Sequence, residues 1–389
     1  MAPHLKSHFL LDPGVIFLNH GSFGAAPRPV FEAYQRWQLR LERQPVKFLA
    51  RELLAELHSS RRVLGQFLGA GEDNLVFIPN ATYGVNLVAR SLGLKPGEEI
   101  LTTDHEYGAC DNIWKFIAKK TGARIVRRQI PLPVSSSSEI VEQLWKGVTP
   151  RTRLIFLSHI TSPTALRMPV RAICARARKA GILTLIDGAH APGQIPLNLS
   201  RLGADFYTGN CHKWLLAPKG SAFLHVQPER QQLIEPLIVS WGWGENCPYD
   251  TGSRFVNLLE WRGTRDPAAC LSVSAAVKFQ KEHHWDEVRE RCHQLLVQTL
   301  DQIRDLTGLP SLYGENTDLF RQMAAVQLPP LADPRRFQEH LYNRYRIEVP
   351  LIEWGGKNLL RISIQGYNQP SDLEALLEAL DRSLPSFTS

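Results

Sequence analysis

Between Leu75 and Val226, short apolar runs rich in β-branched residues alternate with amphipathic stretches, and this alternation restricts the chain to very few folds. The runs are Leu75 to Ile78, Glu99 to Thr103, Arg124 to Ile130, Arg153 to Ser158, Ile182 to Ile186, Ala204 to Thr208 and Ser221 to Val226. Helical periodicity fills gaps between them, at Val85 to Leu92, Ala109 to Lys120 and Val170 to Lys179. Apolar strands without polar alternation are buried on both faces. Repeated β-then-α in that form predicts an α/β fold with a large, doubly wound, mainly parallel sheet. Sheets of this kind bind ligands in the crevice beyond the carboxyl ends of their strands. Functional residues are therefore expected in the loops that follow the strands.

The flanks have a different rhythm. Val30 to Leu68 is mostly helical with an interruption at Pro45, and it follows a glycine-bearing loop, Phe17 to Pro27. Beyond Arg265 come long amphipathic stretches, Pro267 to Glu282 and Asp286 to Leu306. Strands at Met323 to Leu328 and Leu359 to Ile364, with helices at Arg335 to Tyr345 and Ser371 to Leu384, complete a smaller α+β lobe. With 389 residues the chain can bury two cores. The expected division is an N-terminal segment, residues 1–28, that contributes to the small lobe and the site, a large domain over 29–265, and a connecting helix with the small domain over 266–389.

Composition narrows the function classes. No apolar run approaches the ~20 residues that a membrane helix requires, and the N-terminus lacks a charged region followed by a long apolar one, so a cytoplasmic protein without membrane attachment is expected. The six cysteines contain no C-x-x-C pair, which argues against a metal site and a disulfide scaffold. The net charge of +7 comes from 45 basic residues dispersed among 38 acidic ones. The densest basic run, Arg171 to Lys179, has helical spacing and no interleaved aromatics, so it reads as a solvated helix face and not as a nucleic-acid surface. Attraction of carboxylate-bearing small molecules is the more economical use of the charge.

Three residues at predicted strand ends carry chemistry. Asp187 follows the run Ile182 to Ile186, Lys213 follows Ala204 to Thr208 between His212 and Trp214, and Thr82 opens the helix after Leu75 to Ile78. A threonine at such a helix start, with free amides and the helix dipole behind it, is a ready anion site. A lysine that forms a Schiff base must be partly desolvated, and a pyridinium ring needs a carboxylate to hold its nitrogen protonated. Pyridoxal 5'-phosphate (PLP) has the phosphate, the ring nitrogen and the aldehyde that these three residues would serve. The bland alternatives are a structural Asp–Lys ion pair and a plain N-cap.

The segments Leu18-Asn19-His20-Gly21-Ser22-Phe23-Gly24, Asp187-Gly188-Ala189-His190, Tyr207 to Trp214 and Arg262-Gly263-Thr264 together resemble the fold-type-I PLP-dependent enzymes of the class V aminotransferase and cysteine desulfurase group. Within that group the chain is similar to the isopenicillin N epimerase-like branch, over nearly its whole length. The resemblance implies Lys213 as the Schiff-base lysine and Asp187 as the partner of the ring nitrogen. It implies Tyr107 stacked on the cofactor, and Ala81, Thr82, Asn210 and His212 around the phosphate. His190 and Ser162 fall near positions that serve the cofactor's phenolic oxygen. In both the residue differs from the family's usual glutamine and asparagine. Asn210 likewise stands where desulfurases commonly have serine. Arg361 matches the arginine that clamps the substrate α-carboxylate, with His20 and Ser22 nearby as substrate-side residues. Thr264 resembles a threonine that reaches the phosphate of a second subunit, so a homodimer with shared active sites is implied.

The expected substrate is an amino acid or a peptide containing one, with Lys213 exchanging the α-proton as general base. Branch resemblance favours epimerisation, with Tyr107 or His20 as a second acid. C–S lyase and aminotransferase chemistry are the alternatives on the same cofactor, and a catalytically inactive binding protein is the alternative outside it. The desulfurases carry a nucleophilic cysteine shortly before the carboxylate arginine, and Ile347 to Leu360 contains none. Trp241-Gly242-Trp243-Gly244 and Trp354-Gly355-Gly356 are expected as wall and lid.

Overall fold

The computed structural model describes residues 5–244 and 247–388. Among these, twelve strands occur: β1 (Ile16–Phe17), β2 (Leu75–Ile78), β3 (Glu99–Thr103), β4 (Arg124–Arg128), β5 (Thr152–Ser158), β6 (Leu183–Asp187), β7 (Phe206–Asn210), β8 (Ala222–Val226), β9 (Met323–Leu328), β10 (Ile347–Glu348), β11 (Leu351–Trp354) and β12 (Lys357–Ser363). Seven form one sheet in the order β2-β8-β7-β6-β5-β3-β4. β8 runs antiparallel to both neighbours, and every other pairing in the sheet is parallel. β2 therefore points the same way as β3 to β7, and six carboxyl ends meet one edge. Every residue of β2, β3, β6, β7 and β8 is buried, as apolar strands covered on both faces require. β4 closes the sheet at an edge and carries Arg124, Arg127 and Arg128, charges that discourage edge-to-edge pairing.

The strand boundaries differ from expectation where side chains intervene. β7 spans Phe206–Asn210, two residues beyond the predicted Ala204 to Thr208. The Asp205 carboxylate accepts hydrogen bonds from Thr184 N and Oγ1 in β6 and from Arg230 Nε in the turn after β8, which ties Asp205 to both by its side chain. The shift brings Asn210 to the strand's end. The helical stretch 28–68 breaks at Pro45, where Arg28–Arg43 gives way to a short turn, one π turn at Phe48–Glu52 and the helix Leu53–Leu68. The predicted helix over 267–282 is two helices, Ala268–Leu271 and Val273–Glu282.

The three-stranded sheet β11-β12-β9 is antiparallel and packs against the helices Trp285–Thr307 and Pro334–Tyr345, which in turn meet the helix Pro370–Phe387. The N-terminal segment joins it: β1 pairs in parallel with β10, Ser363 N donates to Leu18 O, and Ser363 Oγ accepts from Gly21 N. Residues 19–24 are thereby carried between the small sheet and the loop after β7. Gly24 has φ 69°, and a Cβ there would overlap the carbonyl oxygen of His212 and Cα of Lys213, so only glycine fits this crossing. No helix of the described residues is long and apolar enough to cross a membrane.

Candidate active site

The loops after β2, β3, β5, β6 and β7, with Ser22 from the N-terminal segment, enclose a cavity of about 230 Å³. Ala81 and Thr82 come from the first loop, Tyr107 from the second, Ser162 from the third, Asp187 and His190 from the fourth, and Asn210, His212 and Lys213 from the fifth. Ten of the thirteen residues singled out in the sequence therefore line one space. They are far apart in sequence and adjacent only because six strands share an edge.

Lys213 is half-buried at the cavity, and its Nζ lies 3.3 Å from His190 Nε2. Burial pushes its pKa down to about 8; Arg361 adds to the fall, and Asp187 opposes it. Asp187 is the last residue of β6. Its Oδ1 accepts from Ala189 N at 2.9 Å, and its Oδ2 is 3.5 Å from the Cys110 thiol. Burial raises its pKa above the ordinary carboxylate range, with the Ala189 amide and Lys213 pulling the other way. A buried carboxylate so weakly compensated is suited to a cationic partner.

At the other end of the cavity, Asn80 caps the helix Ala81–Ser91 by accepting from Tyr83 N. Ala81 N donates to Asn210 Oδ1 at 2.8 Å, so the amide expected to hold phosphate is already engaged, and Asn210 acts first as a brace on the helix start. The Thr82 amide has no hydrogen-bond partner among the described residues and stands with the Thr82 hydroxyl at the positive end of the helix dipole. His212 donates from Nδ1 to Ser221 O, which orients its ring; burial pushes its pKa down to about 4. Tyr107 precedes the helix Gly108–Thr121 and is about half exposed at the cavity mouth.

Arg361, on β12, lies just outside the cavity lining and is buried. Its Nη1 donates to Ser162 O and Oγ, its Nη2 donates to Ser22 Oγ, and its Nε is buried without a partner. No carboxylate among the described residues forms a salt bridge with it. Burial lowers its pKa to about 10. Ser22 and Ser162, residues of the cavity wall, thus connect an uncompensated guanidinium to the space around Lys213.

His20 sits elsewhere than expected. It is fully buried behind the lysine loop, with Nε2 3.1 Å from Lys213 O and Nδ1 3.0 Å from the Tyr367 hydroxyl. Both ring nitrogens are occupied, and burial drives its pKa to about 3, so it pins the backbone of Lys213 and does not line the cavity. Thr264 is exposed and also lies off this cavity. Trp241 and Trp243 are exposed away from the lining, and Trp354 donates from Nε1 to Asp104 O, so neither tryptophan loop forms a wall of the cavity.

Glu106 escaped the sequence reading. It is buried, accepts from Thr103 Oγ1 and from Ser158 N and Oγ, and has its pKa raised to about 7, mainly by burial and in part by Asp187. Ser158 is also the β5 partner of Asp187 in the sheet register. Glu106 therefore fastens the β3 loop to the strand end beside Asp187. The available signal was a glutamate one residue before Tyr107 in a loop already picked out for function.

The residues present match the three handles of PLP: a desolvated lysine for the aldehyde, an under-compensated buried carboxylate for the ring nitrogen, and a helix start with a free amide for the phosphate. Fold and site together define a PLP-dependent enzyme of fold type I. The aminotransferase class-V profile matches residues 24–376, and the chain belongs to that family. Isopenicillin N epimerase of Amycolatopsis lactamdurans is 39% identical over 381 residues, covering 95% of each chain. The Streptomyces clavuligerus isopenicillin N epimerase is 37% identical, covering 97% of this chain and 96% of its own. Among solved structures, the apo cysteine desulfurase of Thermococcus onnurineus NA1 superposes with a TM-score of 0.84 at 20% identity, over 98% of both chains.

Proposed function

We propose that the chain inverts the α-carbon of an amino acid carried in a peptide-like substrate, as the isopenicillin N epimerases are named for doing. Similarity at 37 and 39% identity over nearly the whole chain supports the epimerase reading. The observation that carries the substrate class is Arg361, a buried guanidinium with no carboxylate partner among the described residues, linked through Ser22 and Ser162 to the cavity that holds Lys213. In this reading the guanidinium fork takes the substrate α-carboxylate and Ser22 and Ser162 exchange partners as it arrives. PLP, when bound, supplies the electron sink that makes the α-proton acidic. Lys213, whose pKa near 8 leaves a substantial neutral fraction at physiological pH, accepts that proton on Nζ. Asp187 holds the ring nitrogen, and Thr82, His212 and the Nδ2 of Asn210 hold the phosphate. Tyr107 is the second proton donor, since His20 has no free nitrogen to offer.

Epimerisation predicts that solvent deuterium enters Cα as stereochemistry inverts, followed by chiral chromatography and mass spectrometry on peptides with a free α-amino acid end. Release of pyruvate, ammonia and sulfide, with no accumulation of the inverted amino acid, would instead indicate C–S lysis. Arg361→Lys, which keeps charge and loses the fork, is expected to raise KM by one to two orders of magnitude.

The same reading includes a cytoplasmic homodimer in which Thr264 reaches the partner's phosphate site, and the division of the chain at residues 28 and 265. Thr264 is exposed, and residues 238–243 carry exposed Ile238, Val239, Trp241 and Trp243, apolar side chains suited to burial against a second copy.

A further inference from the structure

The indole of Trp214 is buried directly behind His190, and its Nε1 lies 3.3 Å from His190 Nδ1. On the other side of the same ring, Nε2 is 3.3 Å from Lys213 Nζ. An indole nitrogen can only donate. His190 Nδ1 must therefore accept, and a neutral imidazole that accepts at Nδ1 carries its hydrogen on Nε2. Neutrality follows from the surroundings: the ring is buried, and Lys213, Arg361 and His20 crowd it, all of which hold its pKa well below the ordinary histidine value.

We infer that Trp214 is a positioning residue that locks the tautomer of His190, so that a hydrogen-bond donor, and not a lone pair, faces the lysine amine and the cavity. The inference rests on the proposed role of Lys213 as the lysine that bears the cofactor.

The lock matters because the alternative is otherwise preferred. An ammonium at Lys213 would pull His190 into the opposite tautomer, with Nε2 as its acceptor. The indole N–H opposes that state, since it would face an N–H at Nδ1. The pair thus favours a neutral amine at Lys213, in the same direction as burial. It also presents a fixed donor to any anionic oxygen that the cofactor brings beside the lysine. Trp214 can impose this because it is itself immobile. Its carbonyl accepts from Gln280 Nε2 at 2.8 Å, its ring lies 4.9 Å from that of His20, and Gly193, at φ 87°, lets the neighbouring backbone press against its carbonyl. A glutamine at position 190 would need no such lock, because its amide always has a donor to offer.

The test is Trp214→Phe in holoenzyme, which keeps a large aromatic ring and removes the N–H. The pH midpoint of the bound cofactor's visible absorbance change is expected to rise by on the order of one unit, as a donor to a charged oxygen is lost. In the His190→Gln background the same substitution is expected to move that midpoint by less than a few tenths of a unit. An equal shift in both backgrounds, or none in either, overturns the inference. Histidine 15N spectra of wild-type holoenzyme, with the His190 signal assigned by its loss in His190→Gln, give an answer independent of any variant's folding. Hydrogen on Nε2 supports the lock and hydrogen on Nδ1 refutes it. Failure of the underlying reading is separate: borohydride would then fix the cofactor to a residue other than Lys213.

Discussion

At the scale of single residues, the site is governed by groups held out of their ordinary ionisation range. Lys213 is the one whose change is most directly measurable. Its folded pKa of about 8 lies below the unfolded value of 10.5, so the folded amine is neutral above pH 8. Between pH 8 and 10.5 the unfolded chain binds the extra proton, and this group's contribution to the apoprotein's stability rises with pH across that window. Capture of PLP by apoprotein requires the neutral amine. Its rate is therefore expected to climb with pH to a midpoint near 8, followed by stopped-flow absorbance, and Lys213→Ala should abolish borohydride-resistant labelling. A midpoint near 10.5 would show that the lysine is not desolvated. Lys213, Asp187 and Thr82 were legible in the sequence because each stands directly after an apolar strand. Glu106 was not, since nothing local distinguishes a buried glutamate with three donors from a solvated one. The displacement of His20 from substrate contact to backbone pin was equally invisible, because it depends on Tyr367, more than three hundred residues away.

At the scale of elements, the most sensitive joint is where residues 19–24 pass against the lysine loop. Gly24 combines a positive φ with a backbone overlap for any Cβ, whereas Gly308, at φ 67°, caps the helix Trp285–Thr307 with open space around it. Gly308→Ala should cost about 1 kcal/mol from backbone strain alone. Gly24→Ala should cost roughly 2–4 kcal/mol and also loosen PLP, because the overlap falls on His212 and Lys213 themselves. Thermal midpoints and PLP dissociation of the two variants compare them directly. Equal losses with unchanged PLP affinity would mean that the segment does not brace the site. The helices were foreseen in outline from periodicity, but the pairing of β1 with β10 was not, for two-residue strands carry no pattern of their own.

At the scale of the whole molecule, the burial of ionisable groups sets the response to acid. Burial drives His20 and His159 to about 3, His212 and His225 to about 4, and His190 well below 6.5. Each binds a proton in the unfolded chain before it does so in the folded one, so each withdraws stability as pH falls below 6.5. Glu106, raised to about 7, and Asp187, also raised, act oppositely in that range. Five histidines outweigh two carboxylates, and the apoprotein's thermal midpoint is expected to fall continuously from pH 6.5 to pH 4.5 in calorimetry. A rise over that interval would mean that the histidines are solvated. The sequence by itself determined the doubly wound sheet, the lysine and acid at its strand ends, and the family, because period, strand-end position and short motifs are local properties. Only the tertiary structure decided that Arg361 is buried without a counter-ion among the described residues, that Asn210 braces the phosphate helix, and that Trp214 faces the back of His190. Those relations are made by contacts between distant segments, and hydrogen-bond partners across a fold leave no trace in the order of residues.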